Sequence, residues 1–388
     1  MAKPIYLDSH ATTPVDRRVL DAMLPYFMEE FGNAASVNHA YGWAADAAVT
    51  QAREKLAQAI NASPEEIVFT SGATEADNLA IKGVAEAYQH KGRHIVTVVT
   101  EHKAILDPCR YLETLGFEVT YLPVQSDGIL DLGELVQVLR ADTILVSVMA
   151  ANNEIGVLQP IAQIGGICHD QGILFHTDAA QAIGKIPLDV QAQRIDLMSL
   201  TAHKIYGPKG IGALYVRRKN PRVQVAPQLH GGGHERGMRS GTLYTPQIVG
   251  FATAVELAIQ EQEEENRRVA ALRDYLWSQL EALGGVHLNG HGEQRLSGNL
   301  NVCLDRVEGQ ALLLGLQTLM AVSSGSACSS ARMEPSYVLK AIGRSTELAY
   351  ASVRFGLGRF TTREEIDRAI VHIRETVKTL RSVHFSVR

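Results

Sequence analysis

At 388 residues, 46% of them hydrophobic, with a formal net charge of −5, the chain is long enough for two folded units and carries no globally basic surface for nucleic acid. No apolar run approaches the roughly 20 residues of a membrane span, and the start of the chain reaches Asp8 without a signal-peptide hydrophobic stretch. The four cysteines, Cys109, Cys168, Cys303 and Cys328, stand far apart with no CxxC pair, which argues against a disulfide framework or a zinc site and for a reducing, cytoplasmic compartment.

Taken in chain order, residues 67–70, 94–99, 143–148, 173–177 and 197–200 are short, β-rich apolar runs separated by amphipathic helical stretches, and residues 210–216 add one more strand. Continuous apolar strands predict an α/β fold: a mostly parallel sheet covered by helices on both faces, with ligand chemistry at the carboxyl ends of the strands. From about residue 251 to 283 the pattern predicts one long charged helix. Strand-like residues 298–304 follow. Thr362 with Glu365 then predicts a capping box opening a final helix, whose apolar stripe is Ile366, Ile370, Ile373, Val377 and Leu380. The expected organisation is a large domain over residues 16–258 and a smaller α+β domain made of residues 1–15 and 259–388.

The chemistry-bearing residues cluster at the predicted strand ends. Asp178 ends one strand and Lys204 follows the next, within Thr201-Ala202-His203-Lys204. An acid and a lysine so placed suit a cofactor with a basic ring nitrogen and an aldehyde, and pyridoxal phosphate has both. Ser71-Gly72-Ala73-Thr74 follows the strand ending at Thr70 and opens a helix, whose free N–H groups and dipole suit the phosphate. By itself this would be an ordinary helix cap; with Lys204 and Asp178 it reads as a phosphate cradle. His102, after another strand end, could stack on a ring and move protons, or simply cap the next helix. Arg354 offers a planar fork that suits a carboxylate, against the plainer reading of a surface ion pair; Asn153 otherwise reads as a turn residue. Cys328 is the one thiol set among small polar residues, in Ser323-Ser324-Gly325-Ser326-Ala327-Cys328-Ser329-Ser330, whereas the other three have apolar neighbours and are expected in cores or on helices.

Together these motifs resemble the cysteine desulfurases among the fold-type I pyridoxal-phosphate enzymes, more narrowly the group with a long catalytic loop that supplies sulfur for iron–sulfur clusters. The likeness runs nearly end to end, from Tyr6-Leu7-Asp8 to Leu357-Gly358-Arg359-Phe360. It implies that Lys204 carries the cofactor, that Ala73, Thr74, Thr201 and His203 hold its phosphate, and that His102 covers its ring. It places Asp178 at the ring nitrogen, Asn153 and Gln181 near the phenolic oxygen, and Asn153 with Arg354 on the substrate carboxylate. It gives Cys328 the persulfide. It also implies a homodimer in which Thr242, at the end of the Gly-rich stretch from Gly231, reaches the other protomer's cofactor phosphate. Expected partners are L-cysteine and a persulfide-acceptor protein such as an iron–sulfur cluster scaffold. A selenocysteine lyase, another class V aminotransferase or lyase, and a catalytically silent scaffold remain alternatives. Two positions depart from the usual pattern: His10, where relatives usually carry a small residue or Asn, and Ala34, where Pro is frequent.

Overall fold

The computed structural model describes residues 3–324 and 334–386. The apolar runs become strands β1 (Ile67–Thr70), β2 (His94–Val98), β3 (Glu118–Leu122), β4 (Thr143–Ser147), β5 (Leu174–Asp178), β6 (Leu197–Thr201) and β7 (Gly212–Val216). They form one sheet of seven strands in the order β1-β7-β6-β5-β4-β2-β3, in which only β7 runs antiparallel to its neighbours. Successive side chains go to opposite faces. Ile67 and Phe69 of β1, with Met198 and Leu200 of β6, enter one core, while Val68 and Leu197 enter the other. Both faces are covered, which is why these strands are apolar throughout rather than alternating. Strand β3 escaped the sequence reading because it is an edge strand, exposed at Glu118 and only half-buried at Val119, Thr120 and Tyr121.

Helices Ala73–Tyr88 and Lys103–Thr114 cover one face; Ala40–Ala59, Ile161–Asp170 and Thr245–Gln260 contribute to the core on the other. The single helix expected over 251–283 is two helices, Thr245–Gln260 and Gln262–Glu281, meeting at Glu261. The break has a packing cause. The first helix buries Ile248, Phe251 and Val255 against the large sheet, whereas the second buries Val269, Leu272, Leu276 and Leu280 in a separate apolar core. That core also receives Ile5 and Leu7 from the start of the chain and Ile366, Ile370, Ile373 and Val377 from the last helix.

A second, antiparallel sheet belongs to this region: β8 (Val286–Leu288), β9 (Asn299–Leu304), β10 (Ser323–Ser324) and β11 (Ser352–Gly356), in the order β10-β11-β9-β8. The capping box forms as expected: the Thr362 N–H donates to Glu365 Oε2 at 3.0 Å and the Glu365 N–H to Thr362 Oγ1 at 3.2 Å. Cys109, Cys168 and Cys303 are buried free thiols. Among the described residues no helix is long and apolar enough to cross a membrane.

Candidate active site

Parallel strands deliver their carboxyl ends to one edge of the large sheet. Thr70, Asp178 and Thr201 end β1, β5 and β6, while His102 and Asn153 lie in the segments that leave β2 and β4. Asp178, Thr201, His102 and Asn153 line one cleft of about 500 Å³, together with Ala73, Thr74, Gln181, His203 and Lys204.

At one end of the cleft the helix Ala73–Tyr88 begins, with Gly72 as its N-cap at φ 151°. The first turn of a helix leaves backbone N–H groups without internal partners, so this end attracts an anion. A side chain at Gly72 would be strained by its φ. Gly212 on β7 passes directly behind the cradle: a Cβ there would lie 2.4 Å from the Leu200 carbonyl oxygen and 2.7 Å from Gly72 Cα. Glu75 in the first turn accepts from the Ser71 N–H at 2.6 Å and from Arg239 Nε at 2.7 Å, which ties the Gly-rich stretch to the cradle. The N-terminal segment crosses the Lys204 turn, with Thr12 Oγ1 3.1 Å from His203 Nδ1 and the Thr13 N–H donating to the His203 carbonyl oxygen at 2.9 Å.

His102 caps the next helix and also lies on the cleft wall. Its Nδ1 accepts from the Ala104 N–H at 3.1 Å, capping the helix Lys103–Thr114, while the residue lines the cleft. That bond makes Nδ1 the unprotonated nitrogen and leaves the proton on Nε2. Burial lowers the imidazole below its ordinary pKa, so the ring is neutral near pH 7.

Asp178 is buried and accepts from the Ala180 N–H at 2.8 Å. Beneath it lies a polar layer. His176, fully buried, has Nδ1 2.9 Å from Ser147 Oγ and Nε2 2.9 Å from Ser199 Oγ, with Asp77 Oδ1 3.7 Å away. Burial pushes His176 down to about 3 and holds the Asp77 carboxyl well above the usual carboxylate range, the nearby Asp178 charge adding to the latter. Lys204 is lowered from the ordinary lysine value, first by burial and then by Arg354, against the attraction of Asp178.

Arg354 does not line the cleft itself but joins it to the second sheet: Nη1 donates to the Asn153 carbonyl oxygen at 2.8 Å and Nη2 to Asp8 Oδ1 at 2.7 Å. Thr242 stands apart from the cleft lining, and Cys328 lies outside the described residues. The sequence reading missed Asp8, Asp77 and Met149. Asp77 was within reach, since it sits one helical turn after Ala73; the cleft's use of Met149 and the Asp8–Arg354 pair had no local signal.

The donor set fits a phosphorylated, ring-bearing aldehyde: a helix N-terminus with Thr74, Thr201 and His203 at one end, a neutral imidazole on the wall, and a buried acid beside an amine of lowered basicity. The family model described as aminotransferase class-V matches residues 5–369 of the chain. The chain belongs to the class-V aminotransferase family. This class-V chain is 57% identical over 383 residues to the cysteine desulfurase IscS of Methylococcus capsulatus, covering 99% of the chain and 94% of that protein. It is 59% identical over 384 residues to the cysteine desulfurase IscS of an Anaeromyxobacter species, covering 99% and 95%. A solved NifS-like protein superposes with a TM-score of 0.91 at 39% identity over 97% of this chain and all of that one. A solved SspA in complex with cysteine gives 0.83 at 37% identity over 92% of this chain and 100% of that one. The cofactor of the class-V chain is pyridoxal 5′-phosphate.

Proposed function

We propose that this chain is a cysteine desulfurase that converts L-cysteine and the Cys328 thiol to L-alanine and a Cys328 persulfide, supplying sulfur for iron–sulfur cluster assembly. The observation that carries it is the convergence of Lys204, Asp178, His102 and the Thr74 cradle on one cleft in a chain 57–59% identical, over nearly its whole length, to proteins named cysteine desulfurase. Pyridoxal phosphate supplies an aldehyde that bonds to an amine and a protonated ring that withdraws electrons from the adjacent carbon.

In this reading the chain's own residues divide the remaining work. Ala73, Thr74, Thr201 and His203 hold the phosphate, and Asp178 holds the proton of the ring nitrogen. Asn153 and Gln181 flank the phenolic oxygen. Lys204 anchors the aldehyde and, once displaced, its neutral amine takes the Cα proton. Arg354 and Asn153 hold the substrate carboxylate. His102, neutral with its proton on Nε2, covers the ring and exchanges protons there. Cys328 thiolate attacks the substrate sulfur, so that this sulfur leaves its carbon and remains on the protein.

The working division is a cofactor domain over residues 16–258 and a smaller domain of residues 1–15 and 259–388. The acceptor is a protein, with an iron–sulfur scaffold as the first candidate, and the compartment is the cytoplasm. The working form is a homodimer. Phe27, Met28, Phe31, Tyr41, Trp43 and Tyr244 leave 44–68% of their surface exposed, with Phe27 packed edge-on to Tyr244 and Phe31 against Tyr41. Apolar patches of this kind mark association surfaces, and Thr242 lies two residues from Tyr244. Sedimentation of the holoenzyme should give twice the chain mass.

The deciding experiment is brief incubation with L-cysteine followed by peptide mass spectrometry. One added sulfur should appear on the Cys328 peptide, with alanine formed, and Cys328→Ser should form neither while still changing its visible spectrum with cysteine. Sulfur on Cys109, Cys168 or Cys303 with Cys328→Ser fully active would reject the mechanism. L-selenocysteine and a keto acid as parallel substrates separate the lyase and transaminase readings.

A further inference from the structure

The Gly-rich stretch that ends at Thr242 is clasped to the strand that leads into the phosphate cradle. Strand β1 is an edge strand, and side chains take its outward backbone groups. The Phe69 N–H donates to Glu235 Oε2 at 2.7 Å, and Arg53 Nη1 donates to the Ile67 carbonyl oxygen at 2.7 Å. Arg53 also grips Glu235, Nη2 to Oε1 at 2.6 Å, in a mostly buried ion pair. Further along the stretch, Arg239 reaches Glu75 in the first turn of the cradle helix, Nε to Oε1 at 2.7 Å and Nη2 to Oε2 at 3.2 Å. Glu75 Oε2 in turn accepts from the Ser71 N–H at 2.6 Å. One carboxylate thus holds the cradle loop on one side and a two-pronged guanidinium on the other, with each side chain of the ion pair only 19% exposed.

That carboxylate stands where an anion is to bind. A helix N-terminus favours negative charge, and Glu75 lines the cleft beside the free N–H groups of this one. Left alone, it would repel a phosphate dianion and occupy part of the same positive end. The described cleft lining offers little to offset it: Lys204 and Lys209 stand against the carboxyl groups of Glu75, Asp77 and Asp178. His203 adds no charge there, pushed down to about 4 by burial first and then by Lys204. Burial works to raise the Glu75 carboxyl, but the Arg239 and Ser71 bonds outweigh it and hold the group below its ordinary value, so it stays ionised. Arg239, which is not itself part of the cleft lining, is the cation set against it.

We infer that Arg239 sets the cleft's preference for a phosphorylated ligand: paired with Glu75 through two nitrogens, it cancels the carboxylate that shares the anion cradle and leaves that carboxylate to hold the Ser71 N–H in place. This rests on the reading of the helix start at Ala73 as the phosphate cradle. Arg239 is a positioning residue, acting through Glu75 rather than on the ligand. A lysine would supply the charge but not the planar fork that meets both Glu75 oxygens.

The test measures binding and not turnover. The full-length chain, freed of cofactor, is titrated with pyridoxamine 5′-phosphate and with pyridoxamine, which differ only in the phosphate and lack the aldehyde that bonds an amine. Wild type should bind the phosphorylated form far more tightly. Arg239→Gln should weaken binding of that form by about 10- to 100-fold, from one uncompensated carboxylate at the cradle, and leave pyridoxamine within about twofold. Glu75→Gln combined with Arg239→Gln removes both charges and should recover the wild-type affinity to within about fivefold, the coupling expected of a pair that acts as a unit. Glu75→Gln alone keeps an acceptor for Ser71 and should bind the phosphorylated form as tightly as wild type or more so. Arg239→Lys should fall between wild type and Arg239→Gln. No loss in Arg239→Gln, equal losses for both ligands that the double variant does not recover, or weaker binding in Glu75→Gln would reduce the pair to a structural tie and overturn the proposal. A wild-type chain that binds both ligands equally would instead overturn the cradle reading, and the proposal with it.

Discussion

Arg354 and Asp8 form a short ion pair, Nη2 to Oδ1 at 2.7 Å, that joins the second sheet to the N-terminal segment beside the cleft. Ser323 Oγ donates to the other Asp8 oxygen at 2.9 Å, so the carboxylate is held from both sides. Arg354 is mostly buried and its Nε has no hydrogen-bond partner among the described residues. The guanidinium is aimed by Asp8 and by the Asn153 carbonyl, a geometry that a lysine cannot reproduce. Arg354→Lys should therefore raise KM for L-cysteine by about 10- to 100-fold, the loss of a charge-assisted bond of roughly 1.5–3 kcal/mol. The cofactor spectrum without substrate should stay unchanged; steady-state kinetics with parallel absorbance spectra check both halves.

Lys204→Ala should abolish the visible absorbance that pyridoxal phosphate acquires on the protein, and with it any borohydride-stable label. The cradle at Thr74 and the acid at Asp178 remain, so the variant should still retain some phosphate affinity, measurable by equilibrium dialysis. A wild-type, reducible band in this variant would show that another lysine carries the cofactor.

Gly212→Ala addresses the cradle from behind. The added methyl would lie 2.4 Å from the Leu200 carbonyl oxygen and 2.7 Å from Gly72, both backbone, so β7 or the cradle must shift. Overpacking of this kind costs about 1–3 kcal/mol. Cofactor affinity should fall by about 5- to 100-fold, while far-UV circular dichroism of the folded chain remains that of wild type. Unchanged affinity would mean that β7 absorbs the strain without moving Gly72.

Glu154 gives a stability prediction with a definite sign. Its side chain is buried and accepts from Ser336 Oγ at 2.5 Å; burial raises it from 4.5 to about 7, against the Ser336 bond and the Arg354 charge. A raised carboxyl binds its proton more tightly in the folded state, so its contribution is fully present below pH 4.5 and is lost as pH rises through 7. The span is worth about 3 kcal/mol as an order of magnitude. Glu154→Gln removes this titration while keeping an acceptor for Ser336. Between pH 5 and pH 8 its urea midpoint should rise relative to wild type; parallel midpoints across that range would refute the assignment.

The sequence by itself determined the strands whose two faces are both buried, because continuous apolar runs have few other stable places. It also picked out residues that lie at strand ends and meet on one cleft: Lys204, Asp178, His102 and the helix start beginning at Ser71. Edge strand β3 was not legible, since its half-polar pattern lacks that signal, and the break at Glu261 was not, since both helices are amphipathic and only their separate cores distinguish them. Tertiary structure alone decided the pairs that span the chain: Arg354 with Asp8 and Gln181 with His10. Such contacts have no sequence period to betray them. They exist because the N-terminal segment crosses the Lys204 turn and joins the second core through Ile5 and Leu7, bringing residues more than 170 positions apart within hydrogen-bond distance.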